Sequence, residues 1–405
     1  MLSRKSQQHL PLIGDEIEYA DRGQSADPYA PHPFLRVPLM PWLARISACF
    51  HHPIDAMRLM MLFVNTGTYM LTVYAAGIMY GDKASLTAGA LLMVMPERFW
   101  MSSRFWPEAL IGLWLATLPI IFLREDPQWI PALLCGVIAL FASLTRIEQI
   151  LLSPGLLMVW YLREGSVPVW VCVWICAPVL LGHALWTLHN FVKYRLPLPD
   201  NTWCFNLTVM QRELQTDPGN HKGIQSCVLS SVPSWQSRSD PSGISSAGKT
   251  LISILKQPSN WTRQFLRRAW SLTGPDTFVS QLILSTIPER NRIAGPKTHT
   301  LLRIWLHYSV PVMVSLTLCL SLWFGTLPPF YLLPCGMLFL IFCMFHTRTR
   351  FRSPLLPSLA LWITHLVMTR PLPGDFPVSW IWPALLFPLL TYIFSTKVRS
   401  EEGDG

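Results

Sequence analysis

Apolar residues in this chain gather into long runs divided by short polar breaks. The runs fall at 56–80, 84–95, 105–123, 129–144, 147–162, 167–188, 303–324, 328–345, 354–369 and 378–394. None alternates apolar and polar positions over its length, so they predict helices and not the strands of a membrane barrel. Several are near the minimum of about 17 residues for a spanning helix, and 84–95 is shorter still. Short or proline-broken spans are tolerated where neighbouring helices or a wet cavity satisfy the backbone. The pattern changes twice. Residues 1–55 are polar and proline-rich, with a weakly amphipathic stretch at 36–50, and 189–302 is rich in Ser, Pro and Asn without a convincing span.

The expected architecture is therefore all-α: a polytopic membrane bundle of about ten hydrophobic helices with an extramembrane loop region. Its parts are an acidic first loop with juxtamembrane helices at 1–55 and an N-terminal bundle at 56–188. The loop region at 189–302, a C-terminal bundle at 303–394 and a polar tail at 395–405 complete it. No repeat of fixed period is visible.

Alternating the segments from 56 onward sorts the connections onto two sides. Breaks at 81–83, 124–128, 163–166, 325–327 and 370–377 share one side. The region before 56, the break at 96–104, the long loop and 346–353 share the other, which carries far more Lys and Arg. A simple positive-inside count puts that side in the cytoplasm. Long loops weigh little in that rule, however, and a face that handles phosphate needs cations for its own chemistry.

Composition strengthens the membrane reading. Of 405 residues, 51% are hydrophobic and 14% charged, with mean hydropathy +0.34. This excludes a disordered chain, a coiled coil and an ordinary cytosolic enzyme. The net charge of +9 reads here as attraction to anionic head groups or a phosphate-bearing substrate, not as a nucleic-acid footprint. Most of the nine cysteines stand in apolar runs as small hydrophobes. Cys204 and Cys227 share one polar loop and can pair where that loop faces an oxidising compartment. No cleavable signal peptide, P-loop, GxGxxG or Cys/His metal spacing is present. Tryptophans near segment ends, such as Trp100, Trp129 and Trp170, fit an interfacial belt. The sequons at Asn206 and Asn260 matter only in a eukaryotic secretory lumen.

Charged residues at the ends of apolar segments carry the chemistry, because charge against lipid is costly. The cluster GDEIEYADRG holds Asp15, Glu16, Glu18 and Tyr19. Its acids suit a general base, a metal ligand or an ordinary polar loop. In HTRTRFRSP, Arg348, Arg350 and Arg352 alternate before an apolar run. They suit phosphate oxygens, or equally an interfacial cation belt. Glu108 follows Pro107 where an acid also favours a helix N-terminus. Arg146 and Glu148 stand between two apolar runs and could be a local ion pair.

In order, these motifs resemble the GT-C superfamily of integral-membrane glycosyltransferases, most closely the protein O-mannosyltransferase and aminoarabinose-transferase branch (glycosyltransferase family 39 and relatives). The carriers are Asp15-Glu16-x-x-Tyr19, Pro31-His32-Pro33, Glu108 in RFWPEAL, and Thr145-Arg146-x-Glu148. They continue with His189-Asn190, Lys193-Tyr194-Arg195, Asn206-Leu207 and Arg350-Phe351-Arg352-Ser353-Pro354. The likeness runs from about 15 to 370. Two departures are visible. The family has a transmembrane helix before the acidic pair, where this chain has fourteen mostly polar residues, and His189 stands where arginine is commoner.

The resemblance implies inverting transfer from a polyprenyl-phosphate sugar to a lipid, glycan or protein acceptor. The working face is extracytoplasmic, with a bacterial inner (plasma) membrane as the setting. Asp15 is the expected general base, with Glu16 in the same pocket. Arg348, Arg350 and Arg352, with Arg104, are expected at the donor phosphate. His32, Glu108, Tyr19, Arg146 and Asn190 are expected at the sugar or acceptor. No cofactor is required, and a divalent metal near the acids is open but not indicated by the spacing. Membrane lipids are expected partners and nucleic acid is not. Two rivals stand beside this: a transporter or lipid flippase, and a degenerate noncatalytic family member.

Overall fold

The structure, a computed structural model, describes residues 12, 15–31, 35–95, 104–123, 128–202, 258–273, 309–314 and 354–369, with single positions 252, 256, 317, 321 and 336. Among these there are helices and no strand. In chain order they are α1 Asp15–Gln24, α2 Leu39–Ser47, α3 Pro53–Tyr80, α4 Asp82–Val94, α5 Pro107–Phe122, α6 Trp129–Thr145, a 3-10 turn Ile147–Leu151, α7 Leu152–Glu164, α8 Val169–Tyr194, α9 Pro258–Thr273 and α10 Leu356–Thr369. The expected run 378–394, most of 303–324 and 328–345, and the tail lie outside the described residues, as do Cys204 and Cys227.

Local chemistry sets the helix boundaries. Proline opens α3 at Pro53 and α5 at Pro107, where its fixed φ fits and its missing N–H costs nothing. Gly165 ends α7 in the left-handed region at φ 72°, a conformation that glycine adopts without strain. The segment expected at 147–162 is split in two. Arg146 leaves the helix at φ −147°, and a 3-10 turn precedes α7. Pro154, which cannot donate to the carbonyl four residues back, is placed in the first turn of the restarted helix. The run expected to end at 188 continues helically to Tyr194, with Asn190 buried, and closes at Arg195 in the left-handed region at φ 61°.

Core packing orders the bundle. Ile111 and Leu115 of α5, Ala132 and Ala139 of α6, Leu156 of α7 and Ile175 of α8 share one apolar cluster. At Gly136 the backbones of α6 and α8 touch. A Cβ there would strike the carbonyl oxygen of Trp174 and lie 3.1 Å from Ile175 Cα. A second cluster joins Tyr19 of α1, Met40 and Ala44 of α2, Met57 and Met61 of α3, and Phe105. A third joins Ala75 and Ala76 to Ala84, Ala88, Leu361 and Trp362.

Contacts fix which helix ends lie together. Arg163, near the end of α7, donates from Nη1 to the Phe122 carbonyl at 2.6 Å, beside the end of α5. Tyr80 Oη and His365 Nδ1 meet at 2.7 Å, joining the end of α3 to α10. Leu356 at the start of α10 packs with Leu92 and Met95 at the end of α4. Helices therefore run alternately up and down, as the sequence pattern predicts. The start of α10 lies at the same end as the starts of α3 and α5.

Two described helices are long and apolar enough to cross a membrane, α3 with 28 residues and α8 with 26. At 1.5 Å per residue they span about 42 and 39 Å, more than the ~30 Å hydrocarbon layer. Helices α5, α6 and α10 are apolar but shorter. The outer sides of α3 and α8 expose large apolar side chains, among them Phe63 at 68% and Leu185 at 68%.

Candidate functional site

The acidic cluster near the chain start is a helix. Its inward positions are Glu16, Tyr19, Ala20 and Gly23, a helical spacing whose first member is a carboxylate where an apolar residue would be expected. Acids in the first turn also meet the positive end of the helix dipole. Gly23 lies against α2. A Cβ there would come within 2.6 Å of the Ala44 carbonyl oxygen, so only glycine permits this approach.

Glu16 is fully buried, and its carboxylate is enclosed on all sides. Oε1 accepts from Arg58 Nε at 3.1 Å and from the Phe105 backbone N–H at 3.2 Å. Oε2 accepts from Arg58 Nη2 at 3.3 Å and from Arg104 Nη1 at 3.0 Å. One carboxylate thus ties α1 to the first turns of α3 and to the segment that enters α5. Of the expected site residues, Glu16 is thus enclosed beneath its neighbour Asp15, and Arg104, expected at the donor phosphate and itself 0% exposed, pairs with Glu16 in this clamp.

Above the clamp lies a partly open charged group. Arg36 forks onto Glu18 with Nε at 3.1 Å and Nη2 at 2.6 Å, and its Nη2 stands 3.9 Å from Asp15 Oδ1. Its guanidinium lies 5.9 Å over the Tyr19 ring, which meets Phe105 edge-on at 5.8 Å. Burial weakens the charged form of Arg36, but Glu18, Tyr19 and Asp15 more than offset this and keep it a fixed cation. Burial pushes the Tyr19 hydroxyl well above its ordinary range, so it remains a proton donor. Arg22 accompanies Glu18 at 2.9 Å and holds the Pro28 and Ala30 carbonyls at 3.2 and 2.9 Å.

Arg146 approaches from the α6 junction. The break in the helix turns its side chain onto Glu108, with Nη1 to Oε1 at 3.0 Å, while Nη2 and Nε meet Glu148 at 3.4 and 3.5 Å. The charges of Asp15 and Arg146 are both felt at Tyr19, and that of Asp15 is also felt at Arg146. Asp15 and Tyr19 share Arg36, Tyr19 packs with Phe105 and Ala109 on either side of Glu108, and Glu108 holds Arg146, so these four residues stand at one end of the bundle. Asp15 keeps 26% of its side chain exposed and Arg146 15%.

The end of α8 braces this group. Asn190 is buried and donates from Nδ2 to the Leu198 carbonyl at 2.8 Å, so it shapes the turn after α8. Beyond that turn, Asp200 Oδ2 accepts the Val37 N–H at 3.1 Å, and Oδ1 accepts the Thr202 N–H at 2.6 Å and the Thr202 hydroxyl. Asn201 Oδ1 accepts the Leu35 N–H at 2.8 Å. Asp27 accepts from Lys193 at 2.8 Å and from the Tyr194 hydroxyl at 2.7 Å. His189 stacks on Trp186 with ring centroids 4.9 Å apart.

Burial pushes the Asp200 carboxyl up to about 6, with Glu148 adding to the rise while Arg36 and Thr202 oppose it. Between the ordinary 3.8 and 6, the folded chain keeps a proton that the unfolded chain has released. Stability therefore falls as pH rises through that window and is level above it. The full difference is on the order of 3 kcal/mol. From pH 4 to pH 7 this contribution should lower the wild-type melting temperature relative to that of Asp200→Asn, which cannot titrate. Identical slopes in both would remove Asp200 as the source.

Arg36, Arg58 and Asp200 complete the site, and the sequence reading did not single them out. Arg58 had a signal, a lone cation two residues into an apolar run. Arg36 and Asp200 had none beyond polar surroundings. His32, Arg348, Arg350 and Arg352 lie outside the described residues, with Pro354 two positions after Arg352. Among the described residues, no three of His, Cys, Asp and Glu are grouped to hold a metal ion. No family model matches the chain, and no curated protein or solved structure matches it.

Proposed function

We propose that the protein is an integral-membrane glycosyltransferase of the GT-C type that uses a polyprenyl-phosphate sugar. The observation that carries the reading is the placement of Asp15 and Tyr19 around Arg36, and of Glu108 against Arg146 beside the Tyr19–Phe105 cluster, at the bundle end where α10 begins. These groups come from positions 15 to 146, and the motif Arg350-Phe351-Arg352-Ser353-Pro354 leads directly into α10. A membrane setting is supported by α3 and α8, whose outer sides carry leucine, phenylalanine and valine exposed to a degree that water disfavours.

The roles follow from charge. Asp15 takes the proton of an acceptor hydroxyl as that oxygen attacks the anomeric carbon. The bond between that carbon and the phosphate oxygen breaks, and negative charge grows on the leaving polyprenyl phosphate. Arg348, Arg350 and Arg352 stabilise that charge. Arg36 stands as a fixed cation beside Asp15, and Tyr19, His32, Glu108 and Arg146 border the sugar and acceptor. Glu16, Arg58 and Arg104 act beneath as the anchor. A transporter would place charged groups near helix midpoints. The charged group described above gathers at one helix end and not at a midpoint.

The test is sugar transfer in membranes or nanodiscs from radiolabelled undecaprenyl-phosphate and dolichyl-phosphate sugars. The wild type is expected to transfer label, and Arg352→Ala to lose about 100-fold or more while inserting normally. No transfer from any polyprenyl-phosphate sugar would remove this reading.

A further inference from the structure

Three buried polar atoms beside the charged group meet no hydrogen-bond partner, and the roles above leave them unused. Gln149 follows Glu148 in the 3-10 turn and is 0% exposed. Neither its Oε1 nor its Nε2 has a partner. Ser153, four residues on in the first turn of α7, is 5% exposed, and its Oγ is equally unmatched. The backbone around them is satisfied, since the Gln149 N–H donates to the Arg146 carbonyl at 3.0 Å. The 3-10 turn and the start of α7 therefore hold a neutral amide and a hydroxyl four residues apart, both buried, directly after the Arg146–Glu148 pair.

Burying such groups unmatched is costly, and in folded proteins an ordered water, an ion or a bound molecule meets them. The donor set selects the molecule. A carboxamide offers an acceptor and two donors side by side, and a serine hydroxyl offers one donor and two acceptor sites. Two neighbouring ring hydroxyls, each donor and acceptor, match the amide in a two-point contact and leave a third for Ser153. A phosphate at neutral pH supplies mainly acceptors, which leaves Oε1 unmet and brings charge to a pair of neutral groups.

We propose that Gln149 and Ser153 form a buried subsite for the hydroxyl groups of a sugar ring, the sugar being the one transferred. This rests on the glycosyltransferase reading and names part of its substrate pocket. Filling the subsite replaces two costs, the unmatched protein groups and the desolvated sugar, with hydrogen bonds. It also makes the ligand-free protein less stable than it could be.

The experiment compares wild type, Gln149→Leu and Ser153→Ala as full chains in nanodiscs. Gln149→Leu, of similar volume, is expected to melt at or above wild type without ligand, because an unmatched amide is gone. With the donor that the wild type uses, KM should rise roughly tenfold or more, the weight of one or two hydrogen bonds, with kcat changing less. Ser153→Ala should move KM the same way by a smaller factor. A lowered melting temperature with unchanged KM would mean that a bound water satisfies the amide, and would overturn the subsite. Free mannose, glucose and arabinose at high concentration serve as a second probe, read by the shift in melting temperature. If the wild type transfers nothing yet shifts with a free sugar and Gln149→Leu does not, the subsite stands and the transferase reading falls. If transfer is normal and Gln149→Leu keeps its KM, the reverse holds. Absence of both transfer and shift overturns both.

Discussion

Glu16→Gln is expected to destabilise the protein by about 3–5 kcal/mol, the usual cost of breaking a buried ion pair from one side. The substitution keeps the shape but removes the charge facing two guanidinium groups. Arg58 is 5% and Arg104 0% exposed, so neither can turn to water without opening the fold. Both would be left as buried cations facing a neutral amide. The melting temperature in nanodiscs should drop by several degrees, or the variant should fail to accumulate. The triple change Glu16→Leu, Arg58→Met and Arg104→Met tests the cause. It removes all three charges together, so stability should return to near the wild-type value or above. A triple variant as weak as Glu16→Gln would show that the apolar contacts of α1, and not the charge balance, hold this end together.

The clamp also shows why the fold was more legible than the site. Apolar period and punctuation by Pro53, Pro107 and Gly165 place the long helices to within a few residues. The alternation of ends follows from counting breaks, and the hydrogen bonds of Arg163 and Tyr80 agree with it. What the pattern hides is direction. Neighbours in sequence such as Asp15 and Glu16 look equivalent, yet successive helix positions differ by about 100°. One faces the opening and the other the core. Because a carboxylate occupies the core position of α1, the period that would have revealed a helix reads as a polar loop. Arg36 and Asp200 lie in irregular stretches where no period constrains them. Their roles depend on a contact between residues 35–37 and 200–201, a long-range pairing with no local signature. For Arg104 a cation at a segment end suggests phosphate, and the pairing the pattern could not show is with Glu16, 88 residues away on α1.

Asp15→Asn is expected to reduce sugar transfer by about 10²–10⁴-fold, the span over which a positioned base accelerates proton removal. The amide copies the carboxylate in size and accepts a hydrogen bond, but it cannot take a proton. Its fold should survive. Asp15 keeps a quarter of its side chain exposed, and Arg36 stands 3.9 Å away while remaining forked onto Glu18. Ion pairs of that exposure contribute little to stability, so the melting temperature should match wild type within about two degrees. The contrast with its neighbour makes the test sharp: Glu16→Gln loses fold, and Asp15→Asn keeps fold and loses chemistry. On the proposed mechanism the loss falls on kcat with donor KM little changed, since there the carboxylate acts on the acceptor proton as the bond forms. Raising pH will not rescue the variant, because the missing function is a base and not a protonation state. Asp15→Glu, which restores a carboxylate with a longer reach, should recover part of the rate. Full transfer by Asp15→Asn, with Asp15→Glu no better, would move the base to another residue of the group around Arg146.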